Sequence, residues 1–135
     1  MGLAEKRIIK EFETTAYPAL KKKIDEAAGF EVVMEVRWDT LAKDEKYQGS
    51  WIASWPKIYF VPIENAFKEI CADAMGRDAL KGALKKIIVQ NAAESYSSYW
   101  ATFDDGVLTL DYQFTNVDAV DDRTQKLRAA VEAKL

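Results

Sequence analysis

Two alternating runs closed by Asp104-Asp105-Gly106 constrain this chain more than any other stretch. An Asp-Gly pair between alternating apolar runs marks a two-residue hairpin turn, because type I′ geometry needs positive φ at both central residues. With Asp105-Gly106 as the turn, Asp104 faces Val107, Phe103 faces Leu108, Ala101 faces Leu110 and Tyr99 faces Tyr112, which makes an apolar and aromatic face. The other face pairs Thr102 with Thr109, Trp100 with Asp111 and Ser98 with Gln113. A three-residue loop with Gly106 as a bulge would instead set Trp100 against Leu110 and mix polar and apolar residues on both sides. A slip of one residue inverts sidedness, so the segregated register is the expected one.

Before this ribbon, residues from about 3 to 28 carry apolar positions at helical spacing (Ile9, Phe12, Ala16, Leu20, Ile24). Pro18 predicts a kink or a broken pair there, with Thr14 or Thr15 capping a restart that leaves the proline in a first turn. Phe30 to Trp38 switches to period two and predicts a strand. Ser50 to Val61 alternates through Trp51, Ala53 and Trp55, but Tyr47, Trp51 and Trp55 also lie four apart. Pro56 tips the reading to two short strands. A helix is expected from about Glu64 to Met75 and another from Arg77 to about Lys86, then a strand at Ile87-Ile88-Val89. Asn116 or Asp118 is expected to cap a last helix whose inner face is Val120, Thr124, Leu127, Val131 and Leu135. The fold class is therefore α+β: residues 1–135 as a single domain, an antiparallel sheet of about five strands, helices mainly on one face, and order α-β-β-β-α-β-β-α.

Chemistry is constrained chiefly by what is missing. The chain has no histidine, which removes Ser-His-Asp and Cys-His catalysis and histidine metal sites. Its glycines are too scattered to build a phosphate-binding loop or a dinucleotide fingerprint, so no cofactor is expected. The one cysteine, Cys71, sits at helical spacing with Phe67, Ile70 and Ala74 and reads as a buried structural thiol. It allows no disulfide within the chain, and no metal-ligand cluster is apparent. With 19 basic and 22 acidic residues the net charge is −3, which argues against nucleic acid and anionic membranes as partners. No run approaches the roughly 20 apolar residues of a membrane span, and no signal-peptide core follows the first residues, so a cytoplasmic location is expected.

Six aspartates lie between Asp104 and Asp122; turn and cap roles account for all but Asp111. The richest candidate feature is the aromatic concentration from Trp38 to Phe60. Trp51, Trp55, Tyr59 and Trp100, together with Asp111, are the candidate binding residues if they share an exposed sheet face. Such a face predicts a non-catalytic binding module for a protein partner or a ligand, with a homodimer as one use of it. Two alternatives follow from other residues: a carrier of a small apolar ligand, with a pocket lined by Met34, Trp38 and Phe60, and a carboxylate-based enzyme using Glu35, Asp39 or Asp111.

Overall fold

The computed structural model describes residues 2–94, 96 and 99–135. Its hairpin turns where the sequence predicts. Asp105 (φ 52°) and Gly106 (φ 81°) both take the left-handed conformation that a type I′ turn requires. Strands β3 (Ala101–Asp104) and β4 (Val107–Asp111) pair Phe103 with Leu108, Ala101 with Leu110 and Thr102 with Thr109. A Cβ on Gly106 would lie 2.7 Å from the Ala83 carbonyl oxygen, so glycine is needed for the approach as well as for the backbone angle. The segregation fails just before β3. Trp100 is 1% exposed and Tyr99 85% exposed, the reverse of the expected sides. Among the described residues the β3–β4 pairing closes with the Asp111 N–H to Trp100 carbonyl bond, and Trp100 itself lies outside β3. The larger apolar ring then turns inward onto Tyr112, 5.7 Å away and edge-on. The expected pair Ser98–Gln113 falls outside the described residues.

Among the described residues the sheet is mixed and has four strands, in the order β1-β2-β4-β3, not an antiparallel sheet of about five. Strand β1 (Met34–Val36) and strand β2 (Lys86–Gln90) run parallel, as do β2 and β4. The cause is the chain between β1 and β2, which is helical throughout its regular parts and carries the backbone back to the same end of the sheet. Its register stacks Met34, Ile87, Leu108 and Phe103 in one row and Val36, Val89, Leu110 and Ala101 in the next. These rows form the covered face. Glu35, Thr109 and Thr102 point to the wetter side.

Helices α1 (Leu3–Thr14) and α2 (Ala16–Ala28) are the broken pair that Pro18 predicts, with the proline in the first turn of α2. The threonines do not cap the restart; their hydroxyls donate backward, Thr14 to the Lys10 carbonyl and Thr15 to that of Glu11. Gly29 closes α2 at φ 84°. The strand expected over 30–38 shrinks to three residues, because Trp38 already opens a short helix α3 (Trp38–Leu41). A 3₁₀ segment, Glu45–Ser50, follows.

Residues 51–70 correct the expectation of two strands. They form α4 (Trp51–Trp55), a π-helical turn at Pro56–Phe60, and α5 (Val61–Ile70). The helical reading of the four-residue spacing of Tyr47, Trp51 and Trp55 is the one that holds; Tyr59 continues it, and Trp51, Trp55 and Tyr59 lie in the core. Pro56 does not stop the helix, since the wider π turn absorbs it. Pro62 lacks the N–H that would meet the Ile58 carbonyl in α geometry, or that of Lys57 in π geometry. Arg123 of the last helix supplies donors to both, at 3.1 Å each.

Helix α6 (Ala74–Ala83) is capped by Asp73, whose carboxylate accepts from the Gly76 N–H at 2.8 Å. Helix α7 (Val120–Glu132) buries Arg123, Thr124, Leu127 and Val131. Neither expected cap is used: Ala119 holds the cap position, Asp118 pairs with Lys57 at 3.0 Å, and the Asn116 amide donates to the Tyr112 hydroxyl. Helices α5 and α7 pack on each other, with α2 against α5 and α7 against β3, which sets the core between these helices and one sheet face.

Candidate functional site

The aromatic residues singled out in the sequence do not form a surface. Trp51 and Trp55 are 0% exposed and Tyr59 and Trp100 1%. Trp51 stacks on Trp55 (5.5 Å, 13°), and the Tyr59 hydroxyl donates to the Tyr112 carbonyl at 2.6 Å. Burial drives the Tyr59 pKa far above its ordinary value, with the Asp111 charge adding to it. A small mixed sheet covered by packed helices needs large side chains to fill the space between layers, and these rings fill it. Of the residues expected to line an apolar pocket, Phe60 is fully buried, with the rings of Phe12, Tyr17 and Trp38 within 5.6–6.4 Å, while Met34 is half-buried and Trp38 borders a groove beside α1 with Ile9 and Val36. The carboxylates are kept apart. Glu35 pairs with Arg37 and Lys86, whose hydrogen bonds lower its pKa, while Asp39 stands exposed on α3.

Asp111 has a definite task. Its carboxylate accepts from the backbone N–H groups of Ala92 (3.0 Å) and Ala93 (3.1 Å) and from the Gln90 amide (2.9 Å). Gln90 in turn accepts from Arg37 at 2.7 Å. This chain of bonds crosses the carboxyl ends of the three parallel strands and fixes the loop leaving β2.

That loop borders a cleft of about 420 Å³. The ends of β2 and β4 contribute Asn91, Glu94, Gln113, Phe114 and Thr115, and the segment after α3 contributes Lys43, Asp44 and Tyr47. Carboxyl ends of parallel strands are where open sheets with helical crossovers place ligands, because the loops diverge there. Tyr47 and Phe114 stack on each other as one wall (4.6 Å, 17°). Lys43 donates to the Asn91 carbonyl at 2.5 Å and lies 3.7 Å from the Glu94 carboxylate. The Asn91 N–H donates to Thr40 Oγ1 at 3.0 Å, so the asparagine is held from both sides. Glu94 adopts φ 51°, an uncommon conformation for a residue with a side chain.

Four buried side-chain atoms find no hydrogen-bond partner among the described residues: Nε1 of Trp51, Trp55 and Trp100, and Asn91 Oδ1. Two of the four, Trp51 Nε1 and Asn91 Oδ1, belong to residues lining this one cleft. Comparison with protein-family models, curated proteins and solved structures finds no match. Among the described residues no group of three or more His, Cys, Asp or Glu is arranged to hold a metal ion, and no helix is long and apolar enough to cross a membrane. Cys71 is buried away from the cleft, its Sγ 3.8 Å from the Ala28 carbonyl, and burial raises its pKa.

Sequence reasoning named Trp51 and Asp111, which prove to lie in and behind the cleft, but missed Lys43, Asn91 and Phe114. One local signal existed: Asn91 is the first polar residue after the β-branched run of β2 that is not needed on the wet face.

Proposed function

We propose that this protein is a non-catalytic binding module whose ligand site is the cleft at the carboxyl ends of β2 and β4, not an aromatic sheet face. The observation that carries this reading is the cleft itself, about 420 Å³ at the carboxyl ends of β2 and β4, walled by the stacked rings of Tyr47 and Phe114 and bordered by Lys43, Asn91, Glu94 and Gln113. The charged side chains of the cleft support binding over catalysis: Lys43 is paired with Glu94, and Asp44 accepts from the Lys46 backbone and faces its ammonium at 3.9 Å. None of them is poised against a nucleophile. The test is an amide-correlation NMR titration with a library of small polar fragments. Shifts should gather at Asn91, Glu94, residues 113–115 and the Trp51 indole. Fragments that shift only the groove between α1 and Trp38, or that are chemically turned over, would sink the reading.

A further inference from the structure

Strand β1 stands at one end of the sheet and pairs on one side only, with β2. The Val33 carbonyl accepts from the Ile87 N–H, and the Arg37 N–H donates to the Val89 carbonyl, so Val33, Glu35 and Arg37 turn their backbone groups toward β2. Alternation turns those of Met34 and Val36 outward, and among the described residues nothing bonds to them. Val36 lines a groove of about 400 Å³ between this edge and α1, with Ile9 and Trp38 as its other apolar residues, so the helix leaves the edge open. Unpaired edges of this kind recruit another strand.

The charges on β1 select which strand. Glu35 and Arg37 flank Val36 on the wetter face, and their side chains keep 41% and 47% of their surface exposed despite their mutual contact at 2.8 Å. One β1 laid antiparallel on another brings outward groups together about Met34, Glu35 or Val36. Pairing about Met34 sets Glu35 against Val33, and pairing about Glu35 sets two carboxylates against each other. Pairing about Val36 sets Glu35 of each copy against Arg37 of the other, with Met34 against Trp38 on the opposite face. The helix layer agrees. Lys6 and Glu13 lie about two turns apart on the groove side of α1, so an antiparallel α1 brings each lysine to the other's glutamate. We infer that a second copy of this chain occupies the edge, joining the two sheets into one across a two-fold axis at Val36. The groove and the cleft at the ends of β2 and β4 share no residue, so this inference does not rest on the cleft.

Sedimentation equilibrium between about 10 µM and about 1 mM should carry the mean mass from monomer toward dimer. The Val36 amide should exchange more slowly as the dimer fills. Val36→Pro deletes an N–H that β2 does not use, so the monomer should keep its fold while dimerisation weakens at least about tenfold. Should that variant fail to fold, the surface charges carry the same test. Glu35→Arg alone and Arg37→Glu alone should each be monomeric, since each sets like charges together, and an equimolar mixture of the two should form a heterodimer. A monomer at about 1 mM overturns the proposal. So does a dimer whose Val36 amide exchanges no more slowly, or one that Val36→Pro or both single charge variants leave intact. A monomer whose Val36 amide shifts saturably with a synthetic hexapeptide of alternating valine and threonine overturns the second copy and gives the edge to a foreign strand.

Discussion

Arg123 is 1% exposed, and among the described residues it forms no ion pair with a carboxylate. Its guanidinium donates to the carbonyls of Lys57, Ile58, Asn116 and Val117, and it lies 5.0 Å from the Tyr112 ring centre. Two of those carbonyls are the ones Pro62 cannot serve, so a backbone defect in one helix is repaired by a side chain from another. Arg123→Met should destabilise the fold by about 2–4 kcal/mol in urea unfolding, since it strands buried acceptors. Pro62→Ala restores an N–H, so the double variant should lose less than the sum of the singles; strict additivity would show that the two are unconnected. Glycines give a second contrast at this scale. A Cβ on Gly76 would stand 1.7 Å from the Ile70 carbonyl oxygen, whereas one on Gly82 meets nothing within 4 Å. Gly76→Ala should therefore cost at least about 1–3 kcal/mol, and Gly82→Ala, in the same helix, should gain about 0.5–1 kcal/mol.

Among the elements, the start of the loop after β2 hangs its Ala92 and Ala93 amides on one side chain, Asp111. Asp111→Ala should remove hydrogen-exchange protection from the Ala92 and Ala93 amides, lower stability by about 1–3 kcal/mol and weaken any ligand held by Asn91. Unchanged protection at those two amides would remove Asp111 from that role. The element scale also shows where the sequence was readable. The hairpin was legible down to its register, because turn chemistry at Asp105-Gly106 and alternation are local signals that agree. The break at Thr15 and the glycine stop at Gly29 were legible for the same reason. Residues 51–60 were misread because Pro56 and Pro62 argue against a helix unless a π turn and a distant arginine compensate, and neither is visible locally. Parallel pairing of β1 with β2 depends on that misread stretch, so the sheet's direction went with it. The cleft was hardly legible, since its walls come from three segments that meet only in the folded chain.

For the molecule as a whole, buried tyrosines tie stability to alkaline pH. Burial first, then the charges of Asp25 and Glu13, raise the Tyr17 pKa from 10.0 to about 12, and Tyr59 shifts in the same direction. A folded pKa above the unfolded one means that the native state holds its proton more tightly. The contribution is complete below about pH 10 and is lost as pH climbs toward 12. The urea midpoint should thus fall steeply above pH 10, with ionisation of Tyr17 and Tyr59, followed by residue-resolved NMR, rising in step with unfolding. Ionisation of either of these two rings on a still-folded chain at pH 10 would contradict the assignment. Tyr17→Phe should flatten part of this slope, since Phe has no proton to lose.

The bond from Arg123 back to residues 57 and 58 also bears on how the chain is made. A ribosome delivers the kinked helix long before the side chain that completes it, so the nascent protein must wait, with those carbonyls open, for α7 to emerge. Nascent chains arrested ahead of residue 120 should be cut by a protease dose that spares the released chain of residues 1–135, and equal resistance of the two would show that early segments are self-sufficient.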